Sequence, residues 1–256
     1  MKLLASDYDG TLKYAQQIMQ EDLDAIQRWR DAGNLFVINT GRSMESIKVQ
    51  MEKYNISADY YITNHGGMVF DKDEFELFSS YLEYITSLDI IYIAKELEGV
   101  VSYVVNDGKH RHRIIVNDRL QEKRYMQLQP DMSEDEVLDL GKYAKITISM
   151  SETGAAIELA NQLNTFFSDD ITAYANNFVV EIGPKGITKA TGMEFLCEFE
   201  DIDEYDTYAI GDSYSDIEMI EFSPNGACIS TAPDDLKWVA KQQYDSIHEM
   251  IDEIMK

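Results

Sequence analysis

The sequence predicts an α/β fold, a parallel sheet with helices on its faces, into which a separate α+β unit is inserted. Three observations carry that expectation. Apolar runs of strand length alternate with helical stretches at the start of the chain, the same alternation returns after Pro184, and a block with a hairpin signature separates the two.

Lys2 to Ser6 reads as a short buried strand. In EDLDAIQRWRDAG, Leu23, Ile26, Trp29 and Ala32 recur every three residues, the spacing of one helix face, and Gly33 stands where a helix stop is expected. LFVIN, Leu35 to Asn39, is a second strand, followed by TGR and a helix from about Ser43 to Tyr54. DYYIT continues the strand pattern and NHGG turns the chain. From about Ser80 the pattern changes to a helix reaching about Glu98. Two β-rich runs follow in VVSYVVNDGKHRHRIIV, joined through Asp107-Gly108, a strong hairpin signal. A helix from Ser133, the strand KITISM, a helix across Glu152 to Phe166 and strands at ITAYA and FVVEI complete this block. The first pattern then returns, with a helix from about Thr188 to Phe199, the strand YAI before Gly211, a helix from Ser213, a short strand ACI and a final helix to Met255. Trp29 and Trp238 both fall on helical stretches and are expected in the core, as are the twelve methionines.

The 256 residues, 45% apolar and 11% aromatic, are enough to bury a sizeable core. Asp and Glu number 47 against 22 Lys and Arg, a formal charge of -25 that repels nucleic acid and anionic lipid, so neither is expected as a partner. A phosphorylated ligand would be repelled too unless a local source of positive charge, such as a metal ion, lies at its site. Cys197 and Cys228 are too few and too far apart for a disulfide framework or zinc cluster and are expected as buried thiols. The start, MKLLASDYDG, lacks the apolar region of a signal peptide, and the apolar stretch from Tyr84 to Val105 carries Asp89, Lys95, Glu96 and Glu98, which exclude a membrane span. A cytoplasmic protein is expected.

Chemistry is concentrated where strands end. In open parallel sheets ligands bind outside the carboxyl ends of the strands, and Asp7, Asp9 and Thr40 all fall there. Strand alternation would put Asp7 and Asp9 on one side, their Cα atoms about 6 to 7 Å apart. Two neighbouring carboxylates repel, which a fold has no use for, but a site can use one as nucleophile and the other as a proton donor and acceptor. Gly10 permits a tight turn, and Thr11 supplies a hydroxyl to tie the loop. DYDG alone also reads as an acidic turn. Three further features fit phosphoryl transfer, which needs positive charge around the phosphoryl oxygens. Thr40 and the backbone after it can donate to phosphate, Lys189 in GITKATG can neutralise it, and the acids of GDSYSD, Gly211 to Asp216, suit Mg²⁺, which prefers oxygen ligands.

Taken together, DYDGT, the Thr of NTGR, the Lys near a helix start and GDxxxD resemble the four motifs of the haloacid dehalogenase superfamily. The order TGR, inserted unit, EIGPKGITK, GDSYSDIEMI is similar to that of Cof-like phosphatases with a type IIB cap. The resemblance covers nearly the whole chain. It implies a Rossmann-like core over 1–80 and 183–256 with an α+β cap over 81–182, and a Mg²⁺-dependent phosphatase acting on small phosphorylated metabolites, sugar phosphates among the candidates. Asp7 would attack phosphorus and carry an aspartyl-phosphate, while Asp9 would protonate the leaving alcohol and later activate water. Mg²⁺ would be held by the Asp7 side chain, the Asp9 carbonyl and Asp212. Thr40, with Gly41 and Arg42, would contact the phosphoryl group, Lys189 would pair with it, and Asp216 would steady Lys189 or the metal shell.

The sequence departs from the family pattern in two places. Ser215 stands where relatives often have Asn, which keeps a hydroxyl for phosphate but loses the amide. His65 stands in Asn64-His65-Gly66 where Asn-Asn-Gly is frequent, and reads either as a substrate contact or as a loop histidine bonded to backbone. Lys109 to Arg113, KHRHR, is the densest basic run. On the second strand of the hairpin, His110 and His112 would share one face and Lys109, Arg111 and Arg113 the other, either reading an anionic part of the substrate or pairing with nearby acids. Two rival functions stay open: a phosphomutase on the same scaffold, distinguished by the absence of stoichiometric phosphate release, and a non-catalytic sensor of phosphate or Mg²⁺, for which a second acid at Asp9 has no use.

Overall fold

The structure, a computed structural model, describes residues 1–256. The chain divides into two compact units, Met1–Phe78 with Ile187–Lys256, and Ser79–Gly186.

The first unit opens with β1 (Leu3–Ser6), buried at all four positions, as a strand covered on both faces of a parallel sheet must be. α1 (Gln20–Asp31) buries Asp22, Ala25, Ile26 and Trp29. That is the i, i+3, i+4, i+7 stripe of a 3.6-residue helix, so the expected face of Leu23, Ile26, Trp29 and Ala32 is rotated; Ala32 lies past the helix and is exposed. β2 (Leu35–Asn39) leads to α2 (Met44–Tyr54), whose first turn is capped by the Ser43 side chain accepting the Ser46 amide. β3 (Tyr60–Thr63) ends in a 3₁₀ turn at Asn64–Gly66. Two short strands then appear that the sequence pattern does not signal, β4 (Met68–Asp71) and β5 (Glu76–Ser79).

The second unit runs α3 (Tyr84–Glu96), β6 (Val100–Asn106), β7 (Arg111–Ile115), α4 (Glu134–Asp139), β8 (Lys145–Met150), α5 (Thr153–Phe166), β9 (Ile171–Asn176) and β10 (Val179–Pro184). Its five strands form an antiparallel sheet in the order β7-β6-β8-β10-β9. Tyr103, Val105, Ile146, Ile148, Val180 and Ile182 on one face pack with Ile90, Ile91 and Ala94 of α3 and Ala156, Leu159, Ala160 and Leu163 of α5. The opposite pleat carries polar groups. Ser102 and Ser149 donate to Glu122, at 2.5 and 3.2 Å, and Arg113 meets Glu122 at 3.5 Å while donating to the carbonyls of Tyr125 and Leu128.

The basic run is placed differently from expectation. Lys109 and His110 lie in the hairpin turn, where the Asp107 carboxylate accepts both their amides, and the strand starts only at Arg111. The turn is thus four residues long, so His110 cannot share a strand face with His112. His112 is buried, with Asp131 and Asp107 at its two ring nitrogens, and Arg113 is occupied by Glu122.

The first unit resumes with α6 (Lys189–Glu200), β11 (Thr207–Gly211), α7 (Ile217–Phe222), β12 (Asn225–Ile229), α8 (Asp234–Val239), β13 (Gln242–Tyr244) and α9 (Ile247–Ile254). The single helix expected after ACI is therefore two helices with an edge strand between them, because Pro233 and Ser246 each start a helix of their own. α8 buries only Leu236, and Trp238 on its outer side is 88% exposed, not in the core as expected. Trp29 is fully buried, its indole nitrogen donating to the Leu35 carbonyl. Cys197 and Cys228 are buried free thiols. Of the methionines, Met44, Met51, Met193 and Met219 are buried, whereas Met1, Met19, Met126 and Met255 are exposed.

The first unit's sheet has the order β13-β12-β11-β1-β2-β3-β4-β5. β13 through β3 are parallel and β4 is antiparallel to β3. From β1 the chain builds outward through β2 and β3, and on its return it builds the other way from β11. The order therefore reverses between β1 and β11, which is where a crevice opens in such sheets. No helix is long and apolar enough to cross a membrane.

Candidate active site

Three chain segments meet at the carboxyl ends of β1, β2 and β11. The Asp7 amide donates to the Ile210 carbonyl, extending the parallel ladder by one residue, after which the chain leaves the sheet. Gly10 has φ +101, and a Cβ there would stand 2.2 Å from the Asp212 carboxylate, so only glycine permits both this turn and this approach. Thr11 donates to Asp212 at 2.8 Å and so ties the loop, as its position suggests.

Lys189, the first residue of α6, is 1% exposed and lies between two carboxylates, 2.5 Å from Asp7 and 2.5 Å from Asp216. Asn39, at the end of β2, holds the Lys189 carbonyl at 2.9 Å. Asn39 is a supporting residue that motif reasoning missed; its one signal is an amide closing an otherwise apolar strand. Asp216 is fully buried and fully engaged. One oxygen takes Lys189, and the other accepts the amides of Asp212 and Ser213 and the Ser213 hydroxyl. It therefore aligns Lys189 and the Asp212 backbone.

Asp7, Asp212 and Asp216 can bring one carboxylate oxygen each within 4.8 Å of one another. Burial pushes the Asp7 carboxyl well above the usual carboxylate range; Lys189 opposes this, and Asp216 and Asp212 add to it. Burial likewise raises Asp212, with the Thr11 hydroxyl opposing. Burial alone would lower Lys189, but Asp216 and Asp7 outweigh it and its pKa is raised. Three carboxylates thus share one ammonium, an arrangement short of positive charge. An all-oxygen cluster of this kind fits a hard divalent cation.

Asp9 differs from the buried Asp7 in its exposure. β1 ends at Ser6, so both Asp7 and Asp9 lie beyond the strand and alternation along it does not set their sides. Asp9 sits in the turn, half exposed, and Arg42 grips its carboxylate with Nε at 2.5 Å and Nη2 at 2.7 Å. Arg42 was expected at phosphate; in this structure its fork is on Asp9. Thr40 is buried at the end of β2, and its hydroxyl oxygen accepts the Arg42 amide. His65, in the left-handed region at φ +58, donates its amide to the Thr40 carbonyl, and its ring lies against Gly41, where a Cβ would be 2.3 Å from it. His65 is thus bonded to the TGR loop through backbone. Ser215 is partly buried, 3.0 Å from the Ser213 hydroxyl.

The chain is 24% identical over 94% of its length, and 90% of the other's, to the 5-amino-6-(5-phospho-D-ribitylamino)uracil phosphatase YitU of Bacillus subtilis. It is 22% identical over 98% of its length, and 97% of the other's, to a phosphoglycolate phosphatase of Methanobrevibacter smithii. Its fold matches that of the haloacid dehalogenase subclass IIB sugar phosphatase BT4131 with a TM-score of 0.82 over 100% of this chain and 99% of that one, at 20% identity. The sequence pattern of haloacid dehalogenase-like hydrolases spans residues 4–252. With that span taking in β1, both halves of the sheet and every segment of the acidic site, the chain belongs to the haloacid dehalogenase-like hydrolase family.

Proposed function

We propose that this hydrolase is a Mg²⁺-dependent phosphatase of small phosphorylated metabolites, working through an aspartyl-phosphate on Asp7. The observation that carries the reading is the cluster of Asp7, Asp212 and Asp216 at the switch point of the sheet, with Lys189 buried between Asp7 and Asp216. The Asp7 and Asp212 side chains, with the Asp9 carbonyl, would hold the cation. Bound there, Mg²⁺ supplies the positive charge that a phosphoryl group requires and that a protein of charge -25 otherwise lacks.

In the first step an Asp7 oxygen bonds to phosphorus as the ester P–O bond breaks, and the leaving oxygen takes a proton from the Asp9 carboxyl. In the second, water bonds to phosphorus, its proton passes to the Asp9 carboxylate, and the Asp7–phosphorus bond breaks to release phosphate. Lys189 holds Asp7 in place and balances charge on the phosphoryl oxygens. The Thr40 hydroxyl, whose oxygen already accepts the Arg42 amide, has its hydrogen left to donate to phosphate. The family relationship and the phosphatase names of the relatives support the class of reaction. Sugar phosphates are the substrates to screen first, given the fold shared with a sugar phosphatase. We place this activity in a type IIB arrangement, with residues 79–186 as the cap.

The test is phosphate release from an aryl phosphate with Mg²⁺, with a chelator, and with Asp7→Asn. Turnover that needs Mg²⁺ and falls at least about 10⁴-fold in the variant is expected. Phosphate returned to substrate instead of released would indicate the mutase, and ligand binding without turnover would indicate a sensor.

A further inference from the structure

We infer that Arg42 is a positioning residue for Asp9: it fixes the carboxylate that exchanges protons with the leaving group and does not serve as an anchor for the phosphoryl group. The inference rests on the phosphatase reading above.

Asp9 needs such a partner. Its side chain is 49% exposed and it lies in a turn beyond the end of β1, so neither packing nor the sheet ladder fixes its direction. A proton donor must sit within hydrogen-bond reach of the atom it serves, and small losses of alignment are costly. Arg42 supplies two-point contact, with Nε on one Asp9 oxygen and Nη2 on the other. A planar fork of this kind sets both the position and the plane of a carboxylate.

Arg42 is itself held on three sides. Its Nη1 donates to the Ser46 hydroxyl at 3.0 Å, its guanidinium lies 5.5 Å from the centre of the fully buried Tyr8 ring, and its amide is bound by Thr40. Ser46 stands in the first turn of α2, which Ser43 caps. Order thus passes from a capped helix through Ser46 and Arg42 to Asp9. Each of the three guanidinium nitrogens already has an acceptor within the protein, which is the arrangement of a brace.

The two roles differ in their dependence on the leaving group. A positioned proton donor matters most when the departing oxygen is strongly basic, whereas a phosphate anchor contributes equally to every ester. The experiment measures kcat/KM, which covers the steps through transfer to Asp7, for p-nitrophenyl phosphate and for an alkyl ester such as glucose 6-phosphate or glycerol phosphate. It does so in the intact protein, Arg42→Ala, Asp9→Asn, the double variant and Ser46→Ala, with folding of each checked by thermal melting. General acid–base assistance is worth roughly 10²–10⁴-fold, so Asp9→Asn should raise the aryl-to-alkyl ratio by about 100-fold and Arg42→Ala by about tenfold. The double variant should match Asp9→Asn, since Arg42 acts through Asp9. Ser46→Ala should move the ratio the same way by about two- to threefold.

A uniform loss on both esters in Arg42→Ala, or a double variant showing the product of the two single ratio changes, would overturn the inference. If the intact protein released phosphate from neither class of ester, the phosphatase reading would fall and the inference with it. A normal ratio change in Asp9→Asn alone would overturn only the role given to Arg42.

Discussion

Both units of the chain bury charged groups, and the way each balances them differs. In the second unit every strongly buried charge has its counterpart: Arg113 meets Glu122, Lys145 meets Glu181 at 2.9 Å, and His112 lies between Asp107 and Asp131. Burial would push Glu122 up, but the Ser102 hydroxyl, the amides of Tyr125 and Arg124 and the Arg113 charge outweigh it and hold Glu122 below its ordinary value. In the first unit Asp7 and Asp216 share Lys189 with Asp212 close by, and burial leaves Asp7 and Asp212 raised. A balanced cluster completes itself within the fold; an unbalanced one has a place for a cation. That contrast, and not burial of charge as such, separates a structural network from a site.

Breaking the lysine at the centre of the unbalanced cluster should have the largest effect. Lys189→Ala leaves Asp7 and Asp216 buried without a cation and is expected to cost about 3–5 kcal/mol in chemical denaturation and to abolish turnover. Arg113→Ala tests the balanced cluster. It strands Glu122, whose side chain is 8% exposed, and should cost about 2–4 kcal/mol while leaving KM for a preferred substrate within about twofold. A large rise in KM would instead make this strand a reader of anionic substrate.

The comparison sharpens further with the cation. Mg²⁺ at about 100 times its dissociation constant should stabilise the protein by about 2.7 kcal/mol, read as a rise in Tm, and Asp212→Asn should remove that rise. In the absence of metal the same variant should melt slightly higher than the intact protein, by about 2–4 °C, since one of three crowded carboxylates is gone.

The smallest effect concerns pH. Glu122 has a folded pKa below its ordinary value of 4.5, so it contributes stability above the unfolded pKa, and that contribution is lost as pH falls through the folded value. Glu122→Gln should therefore lower stability at pH 7 and flatten its decline below about pH 4.5, measured by denaturant unfolding across pH 3 to 7.

Much of this could be read from the sequence. The strands that end in Asp7, Asn39 and Gly211 are continuous apolar runs, and each motif follows one directly, so fold and site share a single signal. What escaped was decided by close contact between distant residues. The Asp9 carboxylate lies where Arg42 grips it in a turn beyond the end of β1, and alternation along a strand has nothing to say about a turn. Asn39 works by holding the backbone of Lys189, a pairing with no local pattern. Trp238 was misassigned because its helix is six residues long, too short for a periodicity to define its buried side.

The order of elements along the chain also governs how the enzyme comes into being. Leu3 of β1 pairs with Thr207 of β11, so the centre of the first sheet cannot close until the intervening unit has been made. That unit is continuous and antiparallel, with hairpins at β6–β7 and β9–β10 and with β8 pairing to β6 and β10 across intervening elements. During synthesis at roughly 5–20 residues per second, β1 and β2 therefore wait for seconds until β11 is made, with Asp7 lacking its lysine. Assembly of the acidic cluster is a late event, and the newborn chain acquires its chemistry only when the last strands dock.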